Sequence, residues 1–263
     1  MAIRKLLLPL IEAESGEAAL VAALTIARDW EAHVLALHVR ADAREVAPLA
    51  GEGLSGTMIE EMITAAERDA AERLNAVRAL FETVAAQKNV MLAEARPGAE
   101  GPSAHFATVV GREEEVVAQQ ARLADLTVVP HPEGEGATSS SDALHAVLFD
   151  SGRPVLIAPH VPPPRIGSRV AIAWNGTAEG AACVAAALPW LQRAETVRIL
   201  TAEGYQRRGP AAPELAAYLA LHGVHAEIAS FRPLDNSVGA GLLAPAAEFQ
   251  ADLLTMGAYS HSR

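Results

Sequence analysis

A single cysteine, Cys183, stands among 263 residues, which excludes an internal disulfide and gives no sign of an oxidising compartment. Its neighbours, AACVAAAL, form an apolar helical pattern, so it reads as a packing thiol. Basic residues are scarce as well: 21 Lys and Arg face 32 Asp and Glu, a formal net charge of -11, and no Lys/Arg run offsets this locally. A surface of that sign repels phosphodiester backbones, so nucleic acid is not expected as a partner. No stretch approaches the roughly 20 apolar residues of a membrane span. The short apolar run near the start is interrupted by Pro9 and followed by Glu12, unlike an export signal. The expectation is a cytoplasmic chain without a membrane partner.

What the chain does have is repetition. Residues 5–20 (KLLLPLIEAESGEAAL) align without a gap on residues 169–184 (RVAIAWNGTAEGAACV), with Gly16 on Gly180. LAEARP at 92–97 answers IASFRP at 228–233, and LADLTVVP at 123–130 answers QADLLTMG at 250–257. Three matches in one order indicate a duplication, so residue differences at equivalent positions report which copy kept a site. With 51% hydrophobic residues, each half is long enough to bury a core of its own.

The apolar run 3–11 reads as a strand buried on both faces, and 16–30 carries helical spacing. Strand 33–39 and a long helix from about 57 to 88 follow. In that helix Ile59, Met62, Ile63, Ala66, Ala70, Leu74, Val77, Phe81 and Val84 step by three or four into one stripe. The pattern continues with strand 90–94, helix 113–124, strand 126–129, helix 141–149 and strand 154–158. Strict alternation with long crossovers predicts an open α/β fold, a parallel sheet with helices on both faces. HVPPPRIG at 160–167 contains three consecutive prolines, a stiff spacer that continues neither helix nor sheet. The expected domains are therefore 1–160 and 168–263, joined by a linker at 161–167.

The second half repeats the order: strand 169–174, helix 179–191, strand 197–200, helix 214–221, strand 225–230, helix 238–249 and strand 252–256. Asp125 lies 34 residues before Pro159, whereas Asp252 is followed by only 11 residues, so by analogy the second copy lacks about 23 residues, a last helix and a fifth strand.

The AWNGT turn at 173–177 is similar to the strand-one ending of universal stress proteins, and DLLTMGAYSHSR at 252–263 resembles their strand-four ending. The chain thus resembles the universal stress protein family in its tandem form, across nearly all residues except the spacer and the unfinished end. The resemblance implies two tandem open parallel sheets of the universal stress protein/adenine nucleotide alpha hydrolase-like kind and a stress-response role. It also implies pairing of the two domains within the chain, a homodimer, and, in some members, ATP with its accompanying Mg2+ held without a catalytic residue set. No other metal is expected.

Members that bind ATP carry Gly-x-x-Gly after the fourth strand, then about nine residues, then Gly followed by Ser or Thr. Backbone N–H groups at such a turn cradle phosphate oxygens, and glycine permits the close approach. Here Gly257 matches the first glycine and Ser260 stands at the second, with His261 and Ser262 following; the third would fall after Arg263. In the first copy Pro130, which has no N–H, takes the place of Gly257, and Glu133 puts a negative charge at the place of Ser260. Gly134 and Gly136 alternate there with Glu133 and Glu135, a solvated connection ending in a helix cap at Ser141 or Asp142. Nucleotide is expected in the second domain alone.

At the strand-one end, where ATP-binding members place Asp, this chain has Asn175, followed by Gly176 and Thr177; the first copy has Ile11 and Glu12. An Asn-Gly turn capping the next helix explains the same residues without a ligand. Thr201, after the second strand, falls where the family lines its adenine pocket. Ligands of open α/β sheets bind outside the carboxyl ends of the strands, so Asn175, Thr201 and Gly257 are expected to converge on one crevice.

Among nine histidines, His222 and His225 are the closest pair, with no third ligand beside them. Gly239 and Gly241 evoke a dinucleotide fingerprint, but Ala244 holds the third glycine position, and a Ser237 helix cap accounts for them better. No Gly-x-Ser-x-Gly turn exists, and Pro9, Ile11 and Trp174 stand where a phosphoacceptor receiver needs acids and a lysine. A non-catalytic binding protein is the expectation. A structural or protein-interaction module without nucleotide, and a weak ATPase, stay open as alternatives.

Overall fold

The computed structural model describes residues 2–41, 56–96, 98, 100–132, 138–205, 209–235 and 237–258. Two compact units divide within the triple proline, Ile3–Pro162 and Pro163–Arg263.

The first unit runs β1 (Lys5–Pro9), α1 (Ala13–Trp30), β2 (His33–Arg40), α2 (Gly56–Lys88), β3 (Met91–Leu92), β4 (Ser103–Val110), α3 (Glu113–Ala121), β5 (Leu126–Pro130), α4 (Thr138–Asp150) and β6 (Val155–Ala158). Its sheet has the order β3-β4-β2-β1-β5-β6, with every pairing parallel. The central strand β1 buries Leu6, Leu7 and Leu8 completely, as a strand covered on both faces must. Each such leucine contributes roughly 1.5–3 kcal/mol of apolar burial. One face packs Leu7, Leu37 and Val39 on Val117 and Ala121 of α3 and on Ala143 and Val147 of α4.

The second unit runs β7 (Arg169–Ala173), α5 (Ala178–Arg193), β8 (Thr196–Ala202), α6 (Ala212–Leu221), β9 (Ala226–Phe231), α7 (Val238–Glu248) and β10 (Leu253–Met256). Its sheet, also parallel throughout, has the order β10-β7-β8-β9. Alternation along the strands divides its core in two. Val170, Ile172, Val197 and Ile199 pack with residues of α5 and α6, whereas Ala171, Leu200 and Phe231 pack with Leu242 and Ala246 of α7.

The duplication is visible in the register. Lys5 pairs with His33 and Arg169 with Thr196; Leu6 pairs with Leu126 and Val170 with Leu253. At the amino end of each sheet one carboxylate ties the strands together. Asp125 Oδ2 accepts from the amides of Arg4 (2.8 Å) and Lys5 (3.0 Å). Its counterpart Asp252 accepts from Gly167, Ser168 and Arg169, each at 3.0 Å.

Four expectations are corrected. The strand expected at 90–94 is a two-residue edge, Met91–Leu92, and the strand that pairs with β2 is Ser103–Val110, which had not been foreseen. Because β9 pairs with β8 as β4 pairs with β2, the counterpart of IASFRP is β4, and its match to LAEARP is not structural. The long stripe of α2 is buried only at Val77, Phe81, Val84 and Ala85; Met62 and Ala66 are exposed and Ile59, Ile63, Ala70 and Leu74 half-buried. Finally, α4 starts at Thr138, so Ser141 and Asp142 lie inside the helix and neither is its cap. The cap expected at Ser237 is present: its Oγ accepts from the Ala240 amide at 3.2 Å.

Candidate functional site

In the second unit strand order reverses at β7, which places a topological switch point between the carboxyl ends of β7 and β10. Ala173 is in register with Leu200 on one side and Met256 on the other. The residues that follow, Trp174, Thr201 and Gly257, therefore stand at one height, Trp174 and Gly257 just past their strands and Thr201 still paired within β8, with Asn175 one step beyond. Ser260, His261 and Ser262 lie outside the described residues, as do Glu133, Gly134, Glu135 and Gly136 of the first copy.

The Asn175 turn is tightly organised. Asn175 Oδ1 accepts from the Thr177 amide (3.2 Å) and the Thr177 hydroxyl (2.9 Å), and Thr177 Oγ1 in turn accepts from the Gly180 amide (3.2 Å). Thr177 is thus the N-cap of α5, and Asn175 makes the Asx turn that leads into it. Gly176 has φ +80°, and a Cβ there would stand 3.1 Å from the Pro210 carbonyl oxygen. The positive φ favours glycine, and any side chain would also have to push that carbonyl back by a few tenths of an ångström.

The segment before α6 crosses this turn. Trp174 Nε1 donates to the Pro210 carbonyl (2.9 Å), and a Cβ on Gly209 would overlap the Gly176 carbonyl oxygen. Glu214 Oε2 holds the strap's far end by accepting from the Ala211 amide (2.8 Å). On the other side of β7, Gly257 lies against the first turn of α5, where a Cβ would come within 2.6 Å of the Gly180 amide nitrogen. Thr201 is half-buried and its hydroxyl meets that of Ser230, its register partner on β9, at 3.3 Å. Cys183 is also half-buried, its Sγ 2.8 Å from the Thr255 hydroxyl of β10.

The equivalent rim of the first unit is filled. Leu10 stands where Trp174 stands, its amide bonded to the Leu37 carbonyl as that of Trp174 is to Leu200. The counterpart of Thr201 is His38, which is 2% exposed. Its Nδ1 lies 2.8 Å from the Leu10 carbonyl, an acceptor only, so Nδ1 carries the proton. The ring stacks on Phe106, which also meets Phe81 and the Arg78 guanidinium. Burial lowers the His38 pKa below 6.5, with the charges of Arg73 and Arg40 adding to the effect and the Leu10 bond opposing it. Pro130, opposite Gly257 in the alignment, ends β5 beside Ala158 and offers no donor.

Sequence reasoning missed Trp174 and His38 as parts of these rims. The 164-residue offset sets Trp174 against Leu10 but would set Thr201 against Leu37; the step from the first strand to the second is one residue shorter in the second unit, so only the register makes His38 the counterpart. Among the described residues no group of three His, Cys, Asp or Glu is placed to hold a metal. His222 caps α6 and meets the Tyr218 ring edge-on.

No protein-family model and no curated protein matches the chain. Solved structures do. A universal stress protein from Archaeoglobus fulgidus DSM 4304 superposes with a TM-score of 0.67 at 15% identity, covering 98% of this chain and 86% of that one. A putative universal stress protein from Pseudomonas aeruginosa UCBPP-PA14 gives 0.52 at 16% identity, covering 100% and 84%. A functionally unknown protein from Pseudomonas aeruginosa PAO1 gives 0.53 at 15% identity, with the same coverage. At such identities the likeness is one of fold, and the fold of this chain is that of the universal stress proteins.

Proposed function

We propose that the second unit is a non-catalytic binding module whose strand-end crevice takes an adenine nucleotide, ATP with its Mg2+, and that the first unit is its ligand-free companion. The observation that supports this reading is the inequality of the two rims. Where the first unit has the buried His38 and the donorless Pro130, the second has the half-buried Thr201 and Gly257. In this reading Thr201 lines the base or ribose and Asn175, Gly176 and Thr177 form the adjoining wall. Gly257 and the segment through Ser260, His261 and Ser262 supply phosphate contacts. A cytoplasmic stress-response role and a homodimeric assembly belong to the same proposal.

Calorimetric titration of the full chain with MgATP tests it. Binding at one site per chain, weakened about tenfold by Thr201→Leu, is the expected result; no binding below about 1 mM, a free energy weaker than about -4 kcal/mol, would refute it. A second reading, an interaction module without nucleotide, draws on the Asn175 carbonyl, which already serves two donors of its own turn. Under that reading Thr201→Leu leaves every nucleotide titration flat.

A further inference from the structure

The carboxyl ends of β5 and β6 in the first unit carry a histidine each, and the fold brings the two together. Pro130 is in register with Ala158, and His131 and His160 follow these strand ends with ring centroids 5.0 Å apart, planes inclined by 44°. Both rings are exposed, so a ligand reaches them without disturbing the core. His131 is oriented from behind: its Nδ1 lies 3.0 Å from the Pro132 carbonyl, which can only accept, so Nδ1 carries the proton and the Nε2 lone pair is left for another partner. A carbonyl holding the remote N–H is the support that metal-binding imidazoles characteristically have. The spacing also fits. A metal with imidazole nitrogens at about 2.0–2.1 Å holds two cis rings with centroids about 5 Å apart.

We propose that His131 and His160 form a two-imidazole site for a borderline divalent transition-metal ion, with water completing its coordination. Neutral imidazole selects Cu2+, Ni2+ and Zn2+ over Mg2+ and Ca2+, and Cu2+ binds tightest by the ordinary order of affinities. The site belongs to the first unit, and the proposal does not rest on any nucleotide in the second.

Titration of the full chain with CuCl2, NiCl2 or ZnCl2 in a non-coordinating buffer at pH 7.5 tests the site. Three variants, His131→Ala, His160→Ala and His222→Ala, are compared with the parent. One Cu2+ per chain is expected, with nitrogen hyperfine structure from two imidazoles in its electron paramagnetic resonance spectrum. Loss of either His131 or His160 weakens binding at least about tenfold, and loss of His222 leaves it unchanged. Unaltered Cu2+ affinity in either His131→Ala or His160→Ala overturns the proposal, as does an equal loss in His222→Ala. Circular dichroism of each variant separates metal loss from unfolding.

Discussion

The residues that matter most for folding here are ones whose neighbours are backbone. Asp252 receives three amides and Asp125 two. Hydrogen bonds to a charged acceptor contribute about 1.5–3 kcal/mol when one partner is removed, though neighbouring bonds do not add fully. Asp252→Ala is therefore expected to destabilise the second unit by about 3 kcal/mol and Asp125→Ala the first by about 2 kcal/mol. Urea denaturation followed by tryptophan fluorescence measures both; an equal or reversed order would show that the number of amides does not set the cost. Gly257 gives a second case. Its closeness to the α5 amides means that Gly257→Ala forces the end of β10 away from the helix, at about 1–3 kcal/mol. That glycine has a packing reason independent of any phosphate, so lost ligand binding in this variant has meaning only beside its melting curve.

At the scale of elements, α2 departs furthest from its pattern. Its 33 residues would span about 50 Å, yet burial begins only at Val77. Turns that are at most half-buried rely largely on local propensity, which is marginal in water. Hydrogen exchange is expected to show amides at 59–74 exchanging at least about tenfold faster than those at 78–88, and uniform protection along the helix would contradict this. The same helix shows what a sequence conveys. Periodicity predicts that α2 exists and which stripe is apolar, but the number of turns that find a neighbour depends on the size of the sheet beneath. The strand β4 was illegible for a different reason. SAHFATVV follows the Gly101-Pro102 pair, which reads as loop, and its buried residues are the small Ser103 and Ala104 with His105 directly after them, so no apolar run announces its start. Its place is fixed from outside, by full pairing with β2 and by Phe106 meeting Phe81 and His38. Capping at Ser237 was legible because side-chain chemistry and position coincide within three residues, whereas the Asn-Gly turn pointed to a cap before α5 that falls on Thr177.

Across the whole molecule the two halves share a fold, and the first carries two histidines whose burial ties its stability to pH. His33 and His38, both in the first unit, have pKa values lowered below 6.5, in each case chiefly by burial. Positive neighbours contribute, with His105 and Lys5 acting on His33 and Arg73 and Arg40 on His38. The unfolded chain then takes up protons before the folded one does, so the stability of the first unit is complete above about pH 6.5 and falls as pH drops toward the folded values. Urea midpoints at pH 7.5 and 5.5 are expected to show this decline, and His38→Gln to reduce it. A midpoint that rises on acidification would reverse the sign.

The paired carboxylates also set where change is tolerated. Each sheet is clasped at its base by an equivalent aspartate, Asp125 in one and Asp252 in the other, leaving the opposite rim without structural duty to that clasp. Loops grafted onto the far side of either sheet would therefore meet an intact foundation, so each half can be rewritten by itself.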